Sequence, residues 1–470
     1  MKTKSLFQWV MVAALVMCLP LCMTSCDNDD NPENPNGGSA IVSINTATLY
    51  DKLGVTDLMA ELLAGGSKTV TDSVVVYDQQ GLLVARLGAE STSLQNVTIS
   101  LSDLPHGTYT VVAWQTSSDG PWADSFWWLT GADQLATARI IQNYPSTISW
   151  LRAIGMYTTT VTIGSETATI NAEIEPMGSI VDLMIDGSAS EGDYTYTSLV
   201  AGGEEPGVDG FYLNPARSGE DRWVFSASRK ESSRSIAGVT PSLSSNKVFT
   251  LSHGENKEFW LFGINKNTSE KDSIINAALT LMPGTVSTFY FDLDKIGYQP
   301  PYFGPTADFA AWKAQRDAGI LVNDLCIQWG ADMQTVRNHV TSHHLWWKCL
   351  NEELDLEEGH GWCQWYYIAK NLYEYYCFDN ESGNNLLYSI CICFDPNVPL
   401  EVPFTSLIKQ GYDYRGGIIY PDQPNVHYSI FFSPDGNTEV TLNKYDDGGW
   451  QIFFQPTDPD DLPLIIPAVG

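Results

Sequence analysis

Positive charge is scarce in this chain: 25 lysines and arginines stand against 56 aspartates and glutamates, a formal net charge of -31. An excess of that sign repels phosphate backbones and anionic bilayer surfaces, which sets nucleic acid aside as a partner. Cysteine is absent between Cys26 and Cys326, so no disulfide can lie within that span. Histidine is sparse, with seven in 470 residues, and none stands in HExxH spacing. A GxSxG elbow, a P-loop and a GxGxxG after a strand are also missing, and these are the local frames for acyl transfer, phosphate binding and dinucleotide binding. No motif calls for a cofactor or a resident metal, and the chain reads as a non-enzyme.

What is present begins with an export signal. Lys2 and Lys4 precede an apolar run from Leu6 through Val16 to Leu21, interrupted by Gln8 and Pro20, which is the charged and apolar order of a secretory signal. The run is short for a membrane span, which needs about 20 residues. It ends at Met23-Thr24-Ser25-Cys26, which resembles the box cut by bacterial lipoprotein signal peptidase, although leucine is more usual at the position of Met23. Cys26 is therefore the expected lipidation site and residues 1–26 the signal. Its removal takes away two lysines and no acid, leaving 23 basic against 56 acidic side chains. Residues 27–40 start as Asp27-Asn28-Asp29-Asp30 and continue polar and rich in proline and glycine, the composition of a disordered linker. Such an acidic run after a lipidated cysteine resembles the surface-export signal of Bacteroidota lipoproteins; a plain spacer is the other reading. The expected place is the outer membrane, lipid-anchored and facing outward.

From residue 41 to 153 the pattern is one of short strands. Val74-Val75-Val76-Tyr77 and Leu82-Leu83-Val84 flank Asp78-Gln79-Gln80-Gly81, a hairpin in which Gly81 supplies a positive φ. Val97, Ile99 and Leu101 alternate with polar residues, and Leu104-Pro105-His106-Gly107 turns into Thr108-Tyr109-Thr110-Val111-Val112-Ala113-Trp114. Several short strands at this spacing predict a β-sandwich. Residues 154 to 297 continue alike, with Ala168, Ile170, Ala172 and Ile174 alternating, then Ile180 to Ile185, Glu258 to Phe262, Ile274 to Leu281 and Ser287 to Leu293.

The hairpin motif, followed by Leu104 to Trp114, resembles the first domain of anchor-type fimbrial lipoproteins of Bacteroidota. The resemblance covers residues 40 to 297. It implies two tandem transthyretin-like β-sandwich domains at the base of a type V pilus, with other pilus subunits as partners. The chain departs from the family where Gln115-Thr116 stand in place of the usual Gly-Asn.

Tyr298-Gln299-Pro300-Pro301-Tyr302-Phe303-Gly304-Pro305 reads as a stiff linker over 298–305. The remaining residues, 306–470, predict an α+β domain. Cys326 to Trp329 reads as a strand, and Ala331 onward as a helix with Met333, Val336 and Val340 on one face. Strands follow at Gln364 to Ile368, Leu372 to Phe378 and Leu386 to Phe394. A helix from Phe404 to Gln410 and strands at Val426 to Phe432, Glu439 to Leu442 and Gly449 to Phe454 repeat that order. It resembles, distantly, the tandem helix-plus-sheet modules of small envelope-binding and inhibitor proteins. Six cysteines lie here: Cys326, Cys349, Cys363, Cys377, Cys391 and Cys393. Six allow fifteen pairings, while buried thiols pack as small apolar groups; both states stay open.

Three features could carry chemistry. His339 and His343, four residues apart, have the helical spacing of two metal ligands, but with no glutamate between them they read as a surface pair. Glu352 to Glu358 is acid-rich and reads as a solvated loop, since glycoside hydrolysis needs acids that face each other across a cleft. Trp122, Phe126, Trp127 and Trp128 form an aromatic cluster in which Trp122, Trp127 and Trp128 are candidates for stacking on a glycan or a protein partner. A second group, Trp346, Trp347, Trp362, Trp365, Tyr366 and Tyr367, crowds the last domain. The leading expectation is a surface lipoprotein acting as a fimbrial anchor or accessory subunit; the alternative is a surface glycan-binding lipoprotein.

Overall fold

The computed structural model describes residues 37–118, 126–142, 151–187, 194–202, 208–225, 234–238, 243–254, 256–296, 299–320, 324–345, 347–354, 361–369, 372–379, 384–394, 398–420, 423–444 and 449–457. Its elements are overwhelmingly strands, so the chain is mainly β, as expected. No described helix is long and apolar enough to cross a membrane.

The first unit holds β1 (Gly37–Asn45), α1 (Ala47–Lys52), α2 (Thr56–Ala64), β2 (Thr69–Tyr77), β3 (Leu83–Ser91), β4 (Asn96–Pro105), β5 (Gly107–Ser118), β6 (Trp127–Thr130), β7 (Arg139–Gln142), β8 (Ile154–Ile163), β9 (Ala168–Ala172) and β10 (Glu175–Pro176). Three strands ordered β4-β1-β9 and five ordered β10-β8-β5-β2-β3 supply its sheets. The alternation of β1, whose even-numbered residues Ala40, Val42 and Ile44 are buried, is that of a strand with one core face. Gly81 adopts φ 78° at the β2–β3 turn, with Asp78 Oδ1 accepting from Gln80 N and Leu82 N. Two helices interrupt the expected run of strands; α2 turns Met59 and Leu63, four apart, into the core.

The expected boundary at residue 153 moves. β8 pairs with β5 along its whole length, and β9 lies parallel to β1, so both belong to the first unit. Strand partnership is long-range, and residues 154–172 carry nothing local that says which sheet they complete.

The second unit comprises β11 (Gly178–Asp186), β12 (Tyr194–Gly202), β13 (Val208–Tyr212), β14 (Trp223–Phe225), β15 (Arg234–Gly238), β16 (Leu243–Leu251), β17 (Asn256–Asn265), β18 (Lys271–Thr280), β19 (Val286–Asp292), β20 (Tyr302–Pro305) and α3 (Thr306–Asp317). Sheets β16-β11-β19-β20 and β15-β12-β17-β18 form it, while β14-β13 joins β7-β6 of the first unit in a shared sheet. At that junction a Cβ on Gly210 would lie 2.0 Å from the Ile140 carbonyl oxygen, so only glycine permits the approach.

The expected linker at 298–305 is corrected in part: Tyr302–Pro305 pairs with β19 as an edge strand. Proline is tolerated there because no described strand pairs with the other edge of β20. The helix that follows belongs to the same unit. Phe309 and Trp312 of α3 pack on Tyr290 and Tyr302 at centroid distances of 5.1 to 5.8 Å. One turn on, buried Arg316 pairs with Asp292 and lies 4.9 Å from the Tyr290 ring centre.

The last unit runs α4 (Met333–His343), β21 (Lys348–Leu354), β22 (Trp362–Ala369), β23 (Leu372–Asp379), β24 (Leu386–Phe394), α5 (Glu401–Lys409), β25 (Asp413–Tyr420), β26 (Gln423–Phe432), β27 (Thr438–Lys444) and β28 (Trp450–Pro456). A helix followed by four strands occurs twice, and the eight strands form one antiparallel sheet ordered β21-β22-β23-β24-β28-β27-β26-β25. Asp332 caps α4 by accepting from Thr335 N at 2.7 Å, and Val336 and Val340 are buried beneath it as expected. Cys326 to Trp329 forms no strand; the segment ends instead on β24 through Gly330 N to Leu387 O and Leu387 N to Ala331 O. Glu352 and Glu353 belong to β21 rather than to a loop.

Among the described residues, two acids are buried with no cation paired to them. Asp72 accepts from Gln115 Nε2 at 2.8 Å and Thr46 Oγ1 at 3.2 Å, and burial pushes its carboxyl up to about 6. Glu374 accepts from the Tyr376 hydroxyl on one oxygen and has no partner on the other; burial pushes it up to about 8. In the unfolded chain both ionise near pH 4. Protons therefore leave the unfolded state first, and the stability present below pH 4 falls as pH rises through the folded values. Denaturant titrations from pH 4 to 9 should show Glu374→Gln gaining on the parent chain across that range, on the order of 3–5 kcal/mol by the top of it. A pH-independent difference would refute the assignment. Arg316→Ala removes the buried partner of Asp292 and leaves it Lys295, 3.5 Å away and half exposed, so it should cost about 1–3 kcal/mol in the same measurement.

Candidate docking surface

Sheet edges present unpaired backbone groups to any strand of suitable length. β3 stands at an edge of the five-stranded sheet, hydrogen-bonded to β2 alone among the described strands. Its start is sealed by the segment after β6: Leu83 N donates to Asp133 O at 3.0 Å, and Leu135 N to Gly81 O at 2.8 Å. Beyond that seal, from Val84 to Ser91, no described strand covers the outer edge.

The side chains there are unusually apolar for an edge. Leu82, Val84 and Leu87 are 47%, 42% and 42% exposed. Leu87 is the register partner of fully buried Val74, which in turn faces fully buried Ala113. One apolar sheet face thus runs outward from Ala113 through Val74 and emerges at Leu87. Arg86 and Glu90 interrupt the strand with opposite charges, a device that limits non-specific pairing. Chemically the edge can accept an extended segment through main-chain hydrogen bonds, with Val84 and Leu87 packing against its side chains. Sequence reading identified the β2–β3 hairpin but not its exposed edge, because only the pairing order shows which strand is outermost.

The aromatic candidates separate. Trp127 is buried, its Nε1 donating to the Arg152 carbonyl at 3.1 Å and its ring edge-on to Phe249. Trp128, next on the same strand, is 44% exposed. Alternation along β6 sends the two rings to opposite faces, so they do not share a platform; Trp122 and Cys26 lie outside the described residues. In the last unit Trp347 is buried and stacked on His344 at 3.7 Å, and Trp365 stacks on Tyr375 at 4.4 Å. His339 and His343 stack at 4.1 Å, with His339 Nε2 against the Asp324 carbonyl.

A cavity of about 230 Å³ opens where β20 and α3 meet the end of α4, with Tyr302, Asp308, Trp312, His343, Trp347 and Glu374 in its lining. It was not legible in the sequence, since these residues are spread from 302 to 374.

The separation of the tryptophans has a measurable consequence. Trp127→Ala should cost about 3–5 kcal/mol in denaturant unfolding, whereas Trp128→Ala should stay within about 0.5 kcal/mol of the parent. Equal losses would mean that both rings are packed.

No family model matches the chain, and no curated protein matches it. Solved structures do overlap with part of it. The fimbrial anchor protein Mfa2 from Porphyromonas gingivalis shares 13% identity over 54% of this chain and 90% of its own, at TM-score 0.33. The tip fimbrial protein Mfa3 of the same organism, truncated at its C-terminus, shares 9% over 54% and 95%, at 0.31. A fimbrial assembly protein from Parabacteroides distasonis shares 13% over 54% and 90%, at 0.28. These are partial superpositions.

Proposed function

We propose that the chain is a surface lipoprotein that serves as an anchor or accessory subunit of a fimbrium, held to the outer membrane through Cys26 and joined to another subunit by strand addition along β3. The observation that carries this reading is the outer edge from Val84 to Ser91, which no described strand covers, with Val84 and Leu87 exposed beside it. Main-chain pairing supplies affinity in such a contact and the alternate side chains supply register, so no reaction centre is required. The signal-like residues before Cys26 and the acidic run after it support a tether that leaves the sandwiches facing outward.

A photocrosslinking residue placed at Leu87 in the full-length lipoprotein, illuminated on intact cells, should capture pilus subunits, while the same residue at exposed Glu61 on α2 should not. Val84→Lys together with Leu87→Lys should lower that capture at least about tenfold and leave the unfolding midpoint unchanged. Capture that persists in the double variant would remove β3 as the contact. Retention of polysaccharide in place of any pilus subunit, lost in Trp128→Ala, would shift the reading to glycan binding.

A further inference from the structure

The six cysteines of the last unit are thiols in this structure, and two of them face one another. Cys363 of β22 and Cys377 of β23 are register partners on adjacent antiparallel strands. Both are buried, and their sulfurs are 3.3 Å apart. A disulfide needs an S–S separation of about 2.05 Å and Cα atoms about 4.4–6.8 Å apart. Directly opposed residues of an antiparallel pair have Cα atoms about 4.5–5.5 Å apart, so the ladder already holds this pair within the required range.

The competing pair is less suited. Cys391 and Cys393 have sulfurs 3.9 Å apart, but they sit two residues apart on one strand. The rise of a strand puts their Cα atoms about 6.6–6.8 Å apart, at the outer limit for a bridge, with both Cβ atoms pointing the same way. Of the fifteen ways of joining six cysteines in three bridges, three contain this pair, and the sheet register favours it.

We propose that Cys363 and Cys377 form a cross-strand disulfide in the exported protein, an inference that rests on the export reading above. Two S–H bonds break and one S–S bond forms. The two electrons and two protons pass to the disulfide of a thiol–disulfide oxidoreductase, which leaves as a dithiol. Both sulfurs are covered in the folded sheet, so the exchange takes place while the β22–β23 hairpin is forming. The bond closes the loop between two residues 14 positions apart and restricts the unfolded chain.

The test has two arms on the full chain. In the first, reduced and unfolded protein is refolded with oxidised glutathione and its peptides are mapped by mass spectrometry. A peptide pair joined through Cys363 and Cys377, lighter by two hydrogen atoms, is expected, together with an unfolding midpoint about 6–12 °C above that of the reduced protein. Absence of the link, or a link between Cys391 and Cys393, overturns the geometric argument. In the second, cells are acid-quenched and alkylated before purification; the same linked peptide is expected. A link that forms on refolding but is absent from cells overturns the native bond and locates the failure in the export reading. The variant Cys363→Val with Cys377→Val, which keeps small apolar groups at both positions, should lose the sensitivity of the midpoint to reductant while retaining the β-sheet circular dichroism of the parent.

Discussion

The arrangement of the chain depends on β11, a strand buried on both faces. Val181, Leu183 and Ile185 belong to the apolar cluster that extends through β18, β19 and α4 into the eight-stranded sheet, whereas Ile180 belongs to the cluster of the first unit. β11 also pairs antiparallel with β16 and parallel with β19. All four of its sides are therefore used, and Asp182 is accommodated by Lys247 and by Ser245 at 2.6 Å. A strand in that position cannot shift by one residue without exchanging its two sets of side chains. Its register fixes the first unit relative to the last.

The same continuity explains why the three units are not beads on a string. β6 and β7 complete a sheet with β13 and β14, and the Tyr367 hydroxyl of the last unit donates to the Ile274 carbonyl of the second at 2.8 Å. Apolar burial at both junctions sets the relative placement, while the β3 edge that no described strand covers lies at the margin of the first unit. A rigid scaffold that presents an incomplete sheet is suited to adding a strand at low conformational cost.

Much of this was legible where the signal is local. Alternation gave β4, the run Leu386 to Phe394 gave β24, and Gly81 adopts the positive φ that its hairpin turn requires, whereas the linker expected over 27–40 ends early because Gly37–Ala40 already belong to β1. The helix–strand order of the last unit followed from periodicity. What the chain did not disclose locally was partnership. β8 and β9 read as the start of a second sandwich because they follow the first in sequence, and Tyr302–Pro305 read as a linker because two prolines precede it and a third ends it. The pair Trp127 and Trp128 looked like one patch, although alternation on a strand separates neighbours by default. The same rule placed Cys363 opposite Cys377 only once the β22–β23 register was known.

In the last sheet the two four-stranded meanders meet through β24 and β28, the final strand of each. A growing sheet that added strands at its rim would finish at an edge, but here the last described strand in chain order lies in the centre. As the chain is made from its N-terminus, β21 to β24 and β25 to β27 can each fold as they emerge, yet the join between them must wait for Trp450–Pro456. A chain cut just before Trp450 would keep β21 to β24 and β25 to β27 and lose the strand that joins them.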